Sequence, residues 1–185
     1  MRLFTAIDVT DAARSELATE QKRLARLWPA ARQPKFVGRD ELHLTLVFIG
    51  HVADEAAAPF VDVMTGPLAQ PPFEMELCGV GVFPPRGAPR VLWAGIEQGA
   101  REVARVQELV ASRLERLGVA REARPYHPHV TLARWRDSRP SDAAPVRTIR
   151  SRLFARVPVS AVTMYLSRLS PSGPAYTALT RAELT

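Results

Sequence analysis

One cysteine, two lysines and no long apolar run set the first limits on this chain of 185 residues. Cys78 alone can build neither an intrachain disulfide nor a thiolate zinc cage nor a Cys-x-x-Cys pair, which excludes the common forms of redox chemistry. Apolar stretches such as Leu44 to Ile49 and Val80 to Phe83 fall far short of the roughly 20 residues that cross a bilayer. Nothing near Met1 resembles a signal sequence, so the expected location is cytoplasmic, with no membrane contact. Lysine occurs only at Lys22 and Lys35, which leaves the positive charge to arginine. Lys+Arg number 25 against 19 Asp+Glu, a net charge of +6 and a pI near 10.4. That balance favours polyanionic partners such as nucleic acid, but an arginine- and alanine-rich composition also follows from GC-rich coding, and charge alone assigns no partner.

Hydrophobic residues make up 46% of the chain, enough for one compact domain over 1–185. Arg2 to Val9 reads as a strand, and Thr10 is placed to cap a helix from Asp11 to about Trp28, with Ala13, Leu17, Leu24 and Leu27 on one face. A strand over Leu42 to Ile49, a helix near Asp54 to Met64 and a strand near Phe73 to Val82 complete the first half, which ends at Phe83. The breaker-rich stretch Phe83 to Pro89 separates it from the second half, 90–185. There, Val91 to Ile96 is a strand, Ala100 to Leu117 a helix with a clear apolar face stopped by Gly118, and His129 to Arg134 a strand. A helix near Ser141 to Leu153 and strands near Val157 to Leu169 and Tyr176 to Leu184 follow. The order of elements in the first half returns in the second.

The two halves also share a short motif in matching positions. His43-Leu44-Thr45-Leu46 lies in the second strand of the first half, and His129-Val130-Thr131-Leu132 in the second strand of the other. Side chains of a strand alternate, so His43 and Thr45 share a polar face while Leu44 and Leu46 face the core; His129 and Thr131 stand likewise against Val130 and Leu132. If the halves pack about a pseudo-twofold axis, the polar faces meet in a groove and form a site of four residues. Such a set suits in-line displacement at phosphorus, where one group takes a proton from water and another gives one to the departing oxygen. Histidine can do either near neutral pH, and the threonine hydroxyls can donate to the oxygens that gain charge. One such tetrapeptide is commonplace; the repeat is what carries the reading. A metal site built from His127, His129 and either His43 or His51 is the competing reading of the histidines. Pro128 disturbs the strand there and no carboxylate accompanies them, so neither metal nor cofactor is expected.

With these flanks the chain resembles the two-histidine (2H) phosphoesterases, and within them the LigT-like (ThpR) RNA 2′,3′-cyclic phosphodiesterases. The segments that carry the resemblance are RLFTAID, FVGRDELHLTLVFIG, the FP turn before RVLWAGI, RPYHPHVTLAR and LSRLSPSGPAYTAL. The resemblance implies a bilobed α+β fold, each lobe a small antiparallel sheet with helices on its outer face and the site in the central groove. It also implies metal-independent opening of a 2′,3′-cyclic phosphate to a 2′-phosphate, with His43 as proton donor and His129 as proton acceptor. Some members also join or cleave 2′–5′ linkages in tRNA halves, so RNA ends, nucleotides or tRNA fragments are the implied partners of a chain expected to act as a monomer.

Arg134 matches a family arginine that can pair with phosphate. It stands five residues after His129, an odd offset, so a bulge or the strand end must turn it toward the site; a surface salt bridge is the other reading. Lys35 and Phe36 match a basic and an aromatic position and either hold phosphate and base or are plain loop residues. Tyr126 either stacks on a nucleobase or packs on the proline-rich turn. Phe4 and Trp93 are read as core, and His51 and His127 receive no catalytic role. A groove that binds a nucleotide or RNA end without turning it over is the alternative to an enzyme; loss of activity in chelator would mark a metal-dependent hydrolase.

Overall fold

The computed structural model describes residues 1–149, 151–170 and 173–185. Its centre is β1 (Arg2–Asp8), whose interior residues Leu3, Phe4, Thr5, Ala6 and Ile7 are all buried, as befits a strand covered on both faces. Thr10 then caps α1 (Asp11–Ala25), its hydroxyl accepting from the Ala13 amide at 3.2 Å. The helix stops three residues short of the expected Trp28, whose indole instead donates to the Asp142 carbonyl at 3.0 Å. After the short β2 (Lys35–Phe36) come β3 (His43–His51), α2 (Ala58–Thr65), β4 (Phe73–Phe83), β5 (Val91–Ile96) and α3 (Ala100–Glu115). Val103, Val106, Val110 and Leu114 recur at helical spacing and are fully buried, so α3 packs its apolar stripe against the sheet. Next come β6 (His129–Arg134), the four-residue α4 (Ala144–Arg147), β7 (Leu153–Val159), β8 (Ala161–Ser170) and β9 (Gly173–Glu183).

Two expectations for the last third of the chain need correction. The helix over Ser141 to Leu153 is a 3-10 turn, Pro140–Ala143, followed by α4. Buried Asp142 closes that turn by accepting from the Arg139 amide at 2.8 Å and pairing with Arg32, while Pro145 brings no amide hydrogen. The single strand over Val157 to Leu169 is in fact two, β7 and β8, divided at Ser160. Pro158 is accommodated because β7 is an edge strand.

The strands form one antiparallel sheet in the order β7-β4-β5-β6-β3-β1-β8-β9, with β2 added on β6. Reading outward from the middle, β3-β1-β8-β9 mirrors β6-β5-β4-β7, which is the expected pseudo-twofold. The arrays exchange strands: β4, from the first half of the chain, lies between β5 and β7, and β8 pairs with β1. The two arrays join through a single pair, Leu44 opposite Val130. The core that backs them is continuous, running from Leu17 and Leu24 of α1 through Leu44, Leu92 and Val130 to Val110 and Leu114 of α3. Among the described residues no helix is long and apolar enough to cross a membrane.

Candidate active site

The join between the arrays is where the repeated motifs meet. Leu44 and Val130 are fully buried, so the residues on either side of each, His43 and Thr45 on β3 and His129 and Thr131 on β6, rise on the opposite face. Continuing the antiparallel register one step each way sets His43 opposite Thr131 and Thr45 opposite His129. The two motifs are therefore neighbours on adjacent strands, at the join of the two arrays.

Both imidazoles are held in the same way. His43 Nδ1 lies 2.7 Å from the Glu41 carbonyl oxygen and His129 Nδ1 2.7 Å from that of His127. A carbonyl only accepts, so Nδ1 carries hydrogen in each ring and Nε2 is left as the proton-exchanging atom. His43 Nε2 is 3.1 Å from the Thr45 hydroxyl. Burial lowers the proton affinity of both rings. For His43 the Glu41 carbonyl and the Asp8 charge oppose that effect and Arg14 and Arg134 add to it; for His129 the His127 carbonyl opposes, while the His127 ring and Arg134 add.

Each ring also rests on aromatic groups. His43 stacks on Phe4 at 5.0 Å, with the edge of Tyr176 at 5.4 Å, while His129 meets Phe83 at 5.1 Å and lies 6.3 Å from Trp93. Phe4 is buried as expected, beneath His43 and against Tyr165 and Tyr176. Trp93, by contrast, is only half-buried and lies outside the core. Its ring lies flat over β4, where a Cβ on Gly81 would come within 2.2 Å of it, so only glycine fits there.

A cavity of about 510 Å³ opens on this face, lined by His43, Thr45, Thr131, Arg134, Lys35 and Phe36 among others. His129 stands next to it through its register with Thr45. Arg134 reaches the cavity by the bulge its odd offset requires. Leu92 pairs with Ala133 and Trp93 with Thr131, so Leu132 is the extra residue, Leu132 and Ala133 are both buried, and Arg134 returns to the face of the histidine. Gln21 of α1 and the Val37 amide both donate to the Leu132 carbonyl at 2.9 Å and pin that bulge. Lys35 pairs in register with Arg134, which sets two cations side by side.

Tyr126 departs from its expected place at the substrate. Its hydroxyl donates to the Thr45 carbonyl at 2.8 Å, its ring packs on the core, and burial drives its proton affinity up. It braces β3 and does not line the cavity. His51 lies at the far end of β3, accepting from Arg2 at 2.8 Å. Among the described residues no three His, Cys, Asp or Glu side chains are grouped to hold a metal ion.

Sequence reasoning passed over Phe48, which is 64% exposed on the cavity rim. A signal for it existed. β3 carries the same bulge as β6, since Thr5 pairs with Val47 and Ala6 with Thr45, so Phe48 follows His43 as Arg134 follows His129. The site is thus symmetric in its histidines and threonines and asymmetric at the fifth residue beyond them, aromatic on one side and cationic on the other.

The family model for the 2′-5′ RNA ligase superfamily matches residues 13–169, and the chain belongs to that family. An RNA 2′,3′-cyclic phosphodiesterase of Archaeoglobus fulgidus is 34% identical over 95% of this chain and 96% of its own length. The protein of the same name from Escherichia coli K12 is 32% identical over 100% of this chain and 97% of its own. Among solved structures, E. coli LigT complexed with 3′-AMP superposes with a TM-score of 0.77 at 29% identity, covering 100% of this chain and 98% of that one.

Proposed function

We propose that this chain is an RNA 2′,3′-cyclic phosphodiesterase that hydrolyses the cyclic phosphate to a 2′-phosphate by acid–base catalysis between two histidines. The observation that carries the reading is the pair of imidazoles on neighbouring strands, each fixed through Nδ1 to the carbonyl two residues before it so that Nε2 is left for chemistry, with a threonine two residues further on in each strand. His129 Nε2 takes a proton from water as its oxygen bonds to phosphorus. The P–O3′ bond breaks, and His43 Nε2–H gives its proton to O3′, so one water is consumed and the protons balance. Thr45 and Thr131 donate to the non-bridging oxygens, and Arg134 with Lys35 offsets the phosphate charge. Phe48 and Phe36 offer ring faces to a base, and such stacking contributes about 1–3 kcal/mol. One chain supplies every group named, so the enzyme acts as a monomer. Ends of tRNA fragments fit a site open at its rim, and 2′–5′ joining is the same displacement in the same direction, a ribose 5′-hydroxyl replacing water as the P–O3′ bond breaks and O3′ takes the proton.

The test is phosphorus NMR of 2′,3′-cyclic AMP incubated with the protein in EDTA. The expected product is 2′-AMP; formation of 3′-AMP would overturn the donor and acceptor assignment or the pose of the substrate, and tight binding with no product would leave a binding protein. His43→Ala and His129→Ala should each lower turnover about 100- to 10,000-fold with the circular dichroism spectrum unchanged.

A further inference from the structure

The sheet that makes the two histidines equivalent gives only one of them a carboxylate. In β1, Asp8 stands directly across from His43, and in β5 the position across from His129 is Gly95. Directly opposed residues of antiparallel strands put their side chains on the same face with Cβ atoms about 4.5–5.5 Å apart, so Asp8 shares the catalytic face. At Gly95 a Cβ would come within 2.9 Å of the Cys78 carbonyl oxygen and 3.3 Å of the Trp93 ring, so that place can take no carboxylate.

Asp8 is held rigidly. Thr163 and Tyr165 of β8 donate to its two oxygens, at 2.7 and 2.5 Å. The Tyr165 ring stacks on Phe4 at 5.3 Å, and Phe4 stacks on His43, so the same aromatic column ties the position of the carboxylate to that of the imidazole.

From this asymmetry we infer that Asp8 is the positioning residue that assigns the acid role, its fixed negative charge keeping the proton on His43 while His129, with no such neighbour among the described residues, serves as base. The inference rests on the two-histidine reading above and deepens it. The groups that face His43 are Asp8 from β1, Arg14 from α1, Glu41 and Thr45 flanking it, Arg134 from β6, Tyr165 from β8 and Tyr176 from β9. Arg14 and Arg134 disfavour the imidazolium, and burial acts in the same direction. The Glu41 backbone carbonyl and the Asp8 carboxylate are the counterweight, and of these Asp8 alone brings a full negative charge, clamped by hydroxyls.

The experiment is a titration of the wild-type protein and Asp8→Asn, following the imidazole carbons and nitrogens by NMR. In Asp8→Asn the His43 midpoint should fall by about one pH unit, with that of His129 moving by less than a third as much. In the wild type the His43 ring should show a second, acidic inflection as the Asp8 carboxyl takes a proton, and His129 should not. That measurement needs no variant to fold. Neither readout depends on turnover, so it stands or falls apart from the assigned activity. In the kcat profile, the alkaline limb of Asp8→Asn should move toward acid by the same amount, and Asp8→Glu should restore part of it. A purely structural role would lower kcat at every pH with the limbs in place. Equal movement of both histidines, or a wild-type His43 blind to Asp8, would overturn the inference.

Discussion

At the scale of the residue, the site depends on which atoms are tied down. The carbonyls of Glu41 and His127 claim Nδ1 of their histidines and leave Nε2 for chemistry, a choice made by local backbone rather than by distant parts of the fold. Arg134 is the cation best placed to meet phosphate, since the β6 bulge delivers it to the cavity and its field is felt by both imidazoles. A charge-assisted hydrogen bond is worth about 1.5–3 kcal/mol, so Arg134→Gln should lower kcat/KM about 10- to 100-fold in an initial-rate assay. Arg134→Lys should recover only part of the loss, because an ammonium lacks the planar fork. The shared face of His43 and Thr45, and of His129 and Thr131, was readable in the sequence because strand alternation is a short-range rule. Tyr126 stayed open between two readings because nothing local distinguishes a ring that meets a base from one whose hydroxyl is taken up by the Thr45 carbonyl 81 positions away.

At the scale of the element, the bulges at Leu46 and Leu132 turn an ordinary strand into a carrier of three functional side chains on one face. The sequence required a bulge for Arg134 to face the site, but its anchor is tertiary. Gln21 is 7% exposed and shares its amide between the Val37 and Leu132 carbonyls, both at 2.9 Å. Gln21→Leu would take this donor from the Val37 carbonyl and leave the Leu132 carbonyl with the Val37 amide alone, and should cost about 1–2 kcal/mol in urea unfolding. Its kcat/KM should fall as well, with KM taking most of the change, because the slackened bulge no longer aims Arg134. The first strand, α1, β5, α3 and β6 were legible because period and capping agree there. The segment from Pro140 to Ser170 was not. Its apparent helical pattern is cut by prolines and by Asp142, whose partner Arg32 lies 110 positions earlier, and its long apolar run hides a passage from one edge of the sheet to the other array.

At the scale of the whole molecule, the repeat seen in the sequence and the symmetry seen in the sheet are divided differently. The repeat expected from the sequence has its boundary near Phe83, whereas the sheet divides between β3 and β6. Hydrophobic pattern cannot reveal the exchange of β4 and β8, because a buried strand looks the same whichever neighbour it has. The exchange bears on what a severed molecule could do. A peptide ending at Phe83 would keep β1 without β8 beside it and β4 without β5 or β7, leaving bare backbone on several edges, and the remaining peptide would be exposed in the complementary way. Either peptide alone should therefore be insoluble or unfolded by circular dichroism, and the two mixed should recover both the native spectrum and turnover. Duplication here has produced not a pair of twins standing side by side but a clasp, each arm closed by the other's finger.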